Sequence, residues 1–118
     1  MSIWQYDLNQ LHNRAISYIY TDNDGERVPF NAKNVTYAAG ISTIKVKAAF
    51  KCKGITSVIH PDSIITIEDE AYNCCDSIIH LRLSSSLQTI GGGSFDGCES
   101  ITRLELPATL HTIKKLGF

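Results

Sequence analysis

The stretch Cys75-Asp-Ser-Ile78-Ile-His-Leu81-Arg-Leu83-Ser-Ser-Ser-Leu87-Gln-Thr-Ile90-Gly-Gly-Gly-Ser94-Phe95-Asp-Gly-Cys98 decides the fold, because the chain writes it more than once. Cys52, Cys75 and Cys98 fall at equal intervals of 23 residues. Ile55, Ile78 and Ile101 keep that interval, as do Val58, Leu81 and Leu104, then Ile64, Leu87 and Leu110, then Ile67, Ile90 and Ile113. A fixed period in the twenties marks a solenoid in which each coil lies on the one before.

Working outward, a fainter coil precedes Cys52. Stepping back one period gives Val35, Tyr37, Ile41 and Ile44, all apolar. Its aromatic, Phe50, stands one residue late relative to Tyr72 and Phe95, a slip that the spacing before Cys52 makes good. Within each coil Thr56 to Pro61, Ile79 to Ser84 and Thr102 to Pro107 read as strands. Their alternation turns Val58 with His60, Leu81 with Leu83, and Leu104 with Leu106 inward. A second, shorter extended piece carries the unbroken column Thr43, Thr66, Thr89, Thr112, where β-branched side chains suit the backbone and hydroxyls can bond along the ladder.

The unit I-x-x-L-x-L-P-x-x-L-x-x-I, seen as Ile101-Thr-Arg-Leu104-Glu-Leu106-Pro107-Ala-Thr-Leu110-His-Thr-Ile113, together with Ser94-Phe95-Asp-Gly-Cys98, resembles the BspA-type leucine-rich repeat over roughly residues 35 to 118. The chain departs from that pattern at His60, Ser84 and Ser94. The fold expected is a β-rich solenoid of about four 23-residue coils with parallel strands, preceded by a helix and hairpin cap. The cap spans residues 1–31 and the solenoid 32–118, its last coil incomplete. Trp4, Leu8, Leu11 and Ala15 are spaced as a short amphipathic helix. Asp24-Gly25 between alternating runs predicts a hairpin of Ile16–Tyr20 with Glu26–Phe30. The acidic loop does not fit calcium, since a glycine at the sixth loop position would put Tyr20 where the first carboxylate belongs.

Composition narrows the function. A net charge of −1 with scattered basic residues lacks the footprint of a nucleic-acid binder. No apolar run of roughly 18 residues suggests a membrane span. The N-terminus lacks the pattern of a secretory signal, so the chain is expected inside a cell or particle if Met1 is its natural start, and at the surface or secreted if it is an excised domain. The cysteine column predicts buried free thiols, with Cys74 in a turn. Neither paired metal ligands nor a nucleophile–base set is present, so no metal, no cofactor and no enzymatic activity are expected. Gly91-Gly92-Gly93 lacks the following lysine of a phosphate loop and reads as an exposed turn open to any residue. His60, at an inward position, is expected to be a core histidine bonded to backbone.

The strand residues between the inward pairs face outward in two columns, Asn34, Ser57, His80, Arg103 and Thr36, Ile59, Arg82, Glu105. They form the candidate partner-binding face, with Arg82 its best anchor. Phe118 falls at the aromatic position of its coil, and Leu116 with Phe118 forms a candidate self-association edge for a homo-oligomer. The resemblance implies a non-enzymatic protein-interaction module, an adhesin or host-contact factor. The alternative is an assembly component of a phage or other large particle.

Overall fold

The computed structural model describes residues 16–118. The helix expected over 4–15 lies outside the described residues. The chain winds as a parallel β-solenoid of about three turns, with one sheet in front and one behind. The front sheet has the order β1 (Ile16–Tyr20), β2 (Ala32–Tyr37), β4 (Ser57–Ile59), β6 (His80–Arg82). The back sheet has the order β3 (Thr43–Ile44), β5 (Thr66–Ile67), β7 (Thr89–Ile90), β8 (Thr112–Ile113). All pairings are parallel, and from β2 onward like stacks on like: Asn34 on Ser57 on His80 in front, Thr43 on Thr66 on Thr89 on Thr112 behind.

Between the sheets runs a core of repeated side chains. Ile55 and Ile78, Ile44, Ile67 and Ile90, and Ile64 and Leu87 are buried in adjacent layers. Burying an aliphatic side chain of this size stabilises by roughly 1.5–3 kcal/mol. An aromatic file crosses the same core: Tyr20 edge-on to Tyr37 at 6.0 Å, Tyr37 to His60 at 5.1 Å, and His60 to Tyr72 at 5.6 Å. Tyr72 then stacks on Phe95 at 5.2 Å, and Phe95 on Phe118 at 4.8 Å, the last two nearly parallel.

The structure corrects four expectations. The hairpin does not form: β1 joins the front sheet parallel to β2, with Tyr20 beside Tyr37. Residues 26–30 cannot answer β1 as a strand, because the Val28 amide donates to Ala48 O at 2.8 Å and Pro29 has no amide to give. The turn at Asp24-Gly25 exists, but Glu26 organises it, accepting from the amides of Thr21 and Asn23 and from the Tyr18 hydroxyl at 2.6 Å.

There is also no aromatic slip. The amides of Ala49, Tyr72 and Phe95 donate across turns to Ala71, Ser94 and Gly117. Ala49 therefore fills the aromatic slot of its coil, while Phe50 points outward between the ammonium groups of Lys47 and Lys51, each 5.1 Å from the ring. The glycine run is no free turn either. Gly91 is buried, and a Cβ there would lie 2.5 Å from the backbone of Glu68 and Asp69. Finally, the last coil lacks its front strand, since Thr102–Leu106 is not paired with β6.

Two columns of left-handed backbone turn each coil. Lys47, Glu70, Gly93 and Leu116 have φ of 58°, 57°, 66° and 59°, and Lys51, Cys74 and Gly97 have 57°, 60° and 80°. Only Gly93 and Gly97 take this region without a Cβ cost.

Candidate functional site

The front sheet's outer face is built by strand alternation. Val35, Val58 and Leu81 point into the core and their immediate neighbours point out, while Tyr18 and Tyr20 of β1 and Ala32 and Tyr37 of β2 also pack on the core. The first outward column is Ser17, Asn34, Ser57, His80; the second is Ile19, Thr36, Ile59, Arg82. Parallel pairing places Ile59 directly beside Arg82 and Ile19 beside Thr36. Ser17 and Ile19 were hidden from sequence reasoning because β1 was assigned to a hairpin. Their alternation with Tyr18 and Tyr20 was the available signal.

Arg103 and Glu105 stand apart from these columns. Both are exposed, but the backbone that carries them is not in the sheet. Two recesses result. One, of about 570 Å³, is lined by Ile59, Ile79, Arg82, His80 and Arg103 among others and contains no acidic side chain. The other, of about 800 Å³, lies between β6 and residues 103–107 and has Asp62 and Glu105 as well as Arg82 and Arg103 on its walls. Ile19 and Ile59 are 60% and 56% exposed, and Ile79 57%, so the face carries apolar area that the core does not use.

Behind this face His60 is buried, but its partner is not backbone. Its Nε2 meets the Tyr72 hydroxyl at 2.8 Å, and that hydroxyl in turn bonds the Tyr37 hydroxyl. His60 Nδ1 and Ser63 Oγ have no partner among the described residues. Burial holds the imidazole neutral, with its pKa pushed down to about 3, and burial likewise raises the Tyr37 and Tyr72 phenols. None of these groups reaches the outer face, so the cluster is part of the core.

The cysteine column holds free thiols, and each donates to a carbonyl of an earlier turn. Cys52 Sγ lies 3.3 Å from Val28 O, Cys75 Sγ 3.0 Å from Ala49 O, and Cys98 Sγ 3.1 Å from Tyr72 O. Burial pushes the Cys52 and Cys98 thiols up to about 11 and Cys75 higher still, so they are unsuited to nucleophilic work. Cys74 is half-buried. Among the described residues no group of three acidic, histidine or cysteine side chains is placed to hold a metal, and no helix is long and apolar enough to cross a membrane.

The far end of the stack is apolar. Phe118 covers Phe95 and is itself 45% exposed, with Leu116 at 56%. A recess of about 650 Å³ runs from these residues to Ile101, Leu104 and Leu106.

A family model for the BspA type leucine rich repeat region matches residues 29–118 in six copies. Among solved structures the chain is similar to the leucine-rich repeat protein of T. pallidum, with a TM-score of 0.64 and 23% identity. The alignment covers 80% of this chain and 44% of that one, so the chain spans less than half of the T. pallidum protein's length. At that identity the likeness is one of fold. No curated protein gives a significant match.

Proposed function

Because the chain belongs to the BspA-type leucine-rich repeat family, whose members typically serve protein interaction without catalysis, we propose that it binds a protein through the outer face of its front sheet. One observation carries this reading: Ile59 and Ile79, both more than half exposed, share with Arg82 and Arg103 a recess whose lining has no acidic side chain, while Asp62 and Glu105 lie on the neighbouring cleft of the same two arginines. Apolar area beside an arginine is the composition of an interface centre. The partner of matching chemistry is a protein segment that offers an apolar side chain next to a carboxylate.

The experiment is capture of partners by the whole chain, compared with Ile59→Ser and Arg82→Ala. Each substitution is expected to weaken the same captured partner by tenfold or more. Capture unchanged by both substitutions defeats the proposal.

A second reading has its own support in the exposed Phe118 ring and Leu116 at the end of the stack. There the end coil meets a second copy, as an assembly part of a larger particle would. In that case Leu116→Ser and Phe118→Ser abolish association in sedimentation, while Arg82→Ala leaves it intact. The adhesin reading predicts the reverse pattern of sensitivity.

A further inference from the structure

The last coil is attached behind and across the turn, and detached in front. Behind, β8 pairs with β7 in the register of every earlier coil. Across the turn, Gly93 N donates to Lys115 O at 3.1 Å and Phe95 N to Gly117 O at 3.0 Å, repeating the bonds Glu70 to Gly92 and Tyr72 to Ser94. In front, the rungs Thr56 N to Lys33 O and Ile79 N to Thr56 O have no successor from Thr102 to Ile79 among the described residues. The bond His60 N to Arg82 O likewise has no counterpart from Leu83 to Glu105.

The segment nonetheless carries the sequence of a front strand. Leu104 stands one period after Leu81, and Leu106 one period after Leu83. Leu83 is 8% exposed, yet Leu106 is 51% exposed beside the open cleft. Both ends of the segment are already fixed in register, by Cys98 bonded to the Tyr72 carbonyl and by β8. Closing it therefore requires no slip of register.

We infer that residues 102–106 are a strap that closes onto β6 as a fifth front strand and that the open cleft is its other state. Closure sets Arg103 beside His80 and Glu105 beside Arg82, in the pairing that already sets His80 beside Ser57 and Arg82 beside Ile59. The strap thereby decides whether Arg82 is available. Open, Arg82 and Arg103 face one recess without an acidic lining residue and share the wider cleft with Asp62 and Glu105; closed, Glu105 is set directly beside Arg82. This use of Arg82 rests on the proposed binding face, whereas the closing motion itself does not.

The test uses the full chain with Cys74→Gly, to remove a half-buried thiol, and a cysteine pair at His80→Cys/Arg103→Cys. Neighbouring parallel strands bring Cα atoms within the span of a disulfide. Ser57→Cys/His80→Cys, already in register, is the control for the same oxidation by oxidised glutathione, with linked peptides mapped by mass spectrometry.

The expected result is complete linkage of the strap pair at a rate several-fold below the control. Failure of the strap pair to link while the control links completely overturns the inference. Linkage as fast as the control, with the Leu83 amide fully protected from hydrogen exchange in the unlinked chain, overturns it too, because no open state then exists. Modification of Arg82 by phenylglyoxal should slow at least twofold on linking. An unchanged rate overturns the strap's control of Arg82, while partner capture is scored separately.

Discussion

The middle coils and the last coil are written in the same columns and end up in different states. Ile67 and Ile90 are 0% exposed, whereas Ile113, one period later, is 46% exposed. Leu81 lies in a paired strand, and Leu104 does not. The residue types are nearly the same, so the difference comes from the neighbours. In a stack, each coil is covered by the next, and burial belongs to the interface between coils rather than to the residue. A column can thus be read from sequence while the depth of any one member cannot.

The largest effect should separate these coils directly. Ile67→Ala is expected to cost about 2–5 kcal/mol in urea unfolding, and Ile113→Ala under about 1 kcal/mol. Equal costs would break the comparison.

Acid should act next, through the middle of the stack. His60 is neutral when folded, its pKa down at about 3 through burial, against an ordinary value of 6.5. Below pH 6.5 the unfolded chain therefore binds a proton that the folded chain does not, and stability falls as pH drops toward about 3. The slope from this group approaches about 1.4 kcal/mol per pH unit. His60→Leu, matching Leu83 one coil on, should remove that slope, as read by unfolding at a series of pH values. Tyr72 then loses its histidine partner but keeps Tyr37.

Backbone contact sharpens the comparison further. Gly91→Ala places a methyl 2.5 Å from the backbone of the preceding coil and should cost about 1–3 kcal/mol. Gly117→Ala meets the Ile113 methyl at 2.6 Å and the Lys114 carbonyl at 3.0 Å; Ile113 is half-exposed and can give way, so the cost should be smaller. A thermal melt of both variants decides it. The smallest effect is a gain. Glu70→Gly relieves a left-handed residue at φ 57° and should add about 0.5–1 kcal/mol, unlike the same change at a position of negative φ.

Much of the architecture was legible because the period repeats the same physical demand. The isoleucine and threonine columns, the free thiols buried at Cys52 and Cys75 though only half-buried at Cys98, and the outward columns through β2, β4 and β6 follow from spacing alone. What escaped depends on contacts that no spacing encodes. Asp24-Gly25 does turn the chain, but whether the next strand runs back or across depended on what held Val28 and Pro29. Phe50 looked like a displaced core aromatic, because sequence does not show that alanine can fill the slot while two lysines shelter the ring. The left-handed columns were invisible at Lys47, Glu70, Lys51 and Cys74, whose side chains give no sign of positive φ. On the candidate face, Arg82 was placed with Ile59 correctly, while Arg103 and Glu105 were assigned to a strand that does not pair.

The thiols bonded to the carbonyls of earlier turns have a practical corollary. Cys52 and Cys75 are buried and Cys98 is half-buried, so a small alkylating reagent reaches the first two only when the coil that covers them lifts. Cys98 should label first, then Cys75 and Cys52, and the sequence of labelling times would record how breathing spreads inward from the exposed last coil, layer by layer, like pages loosening from the back of a book.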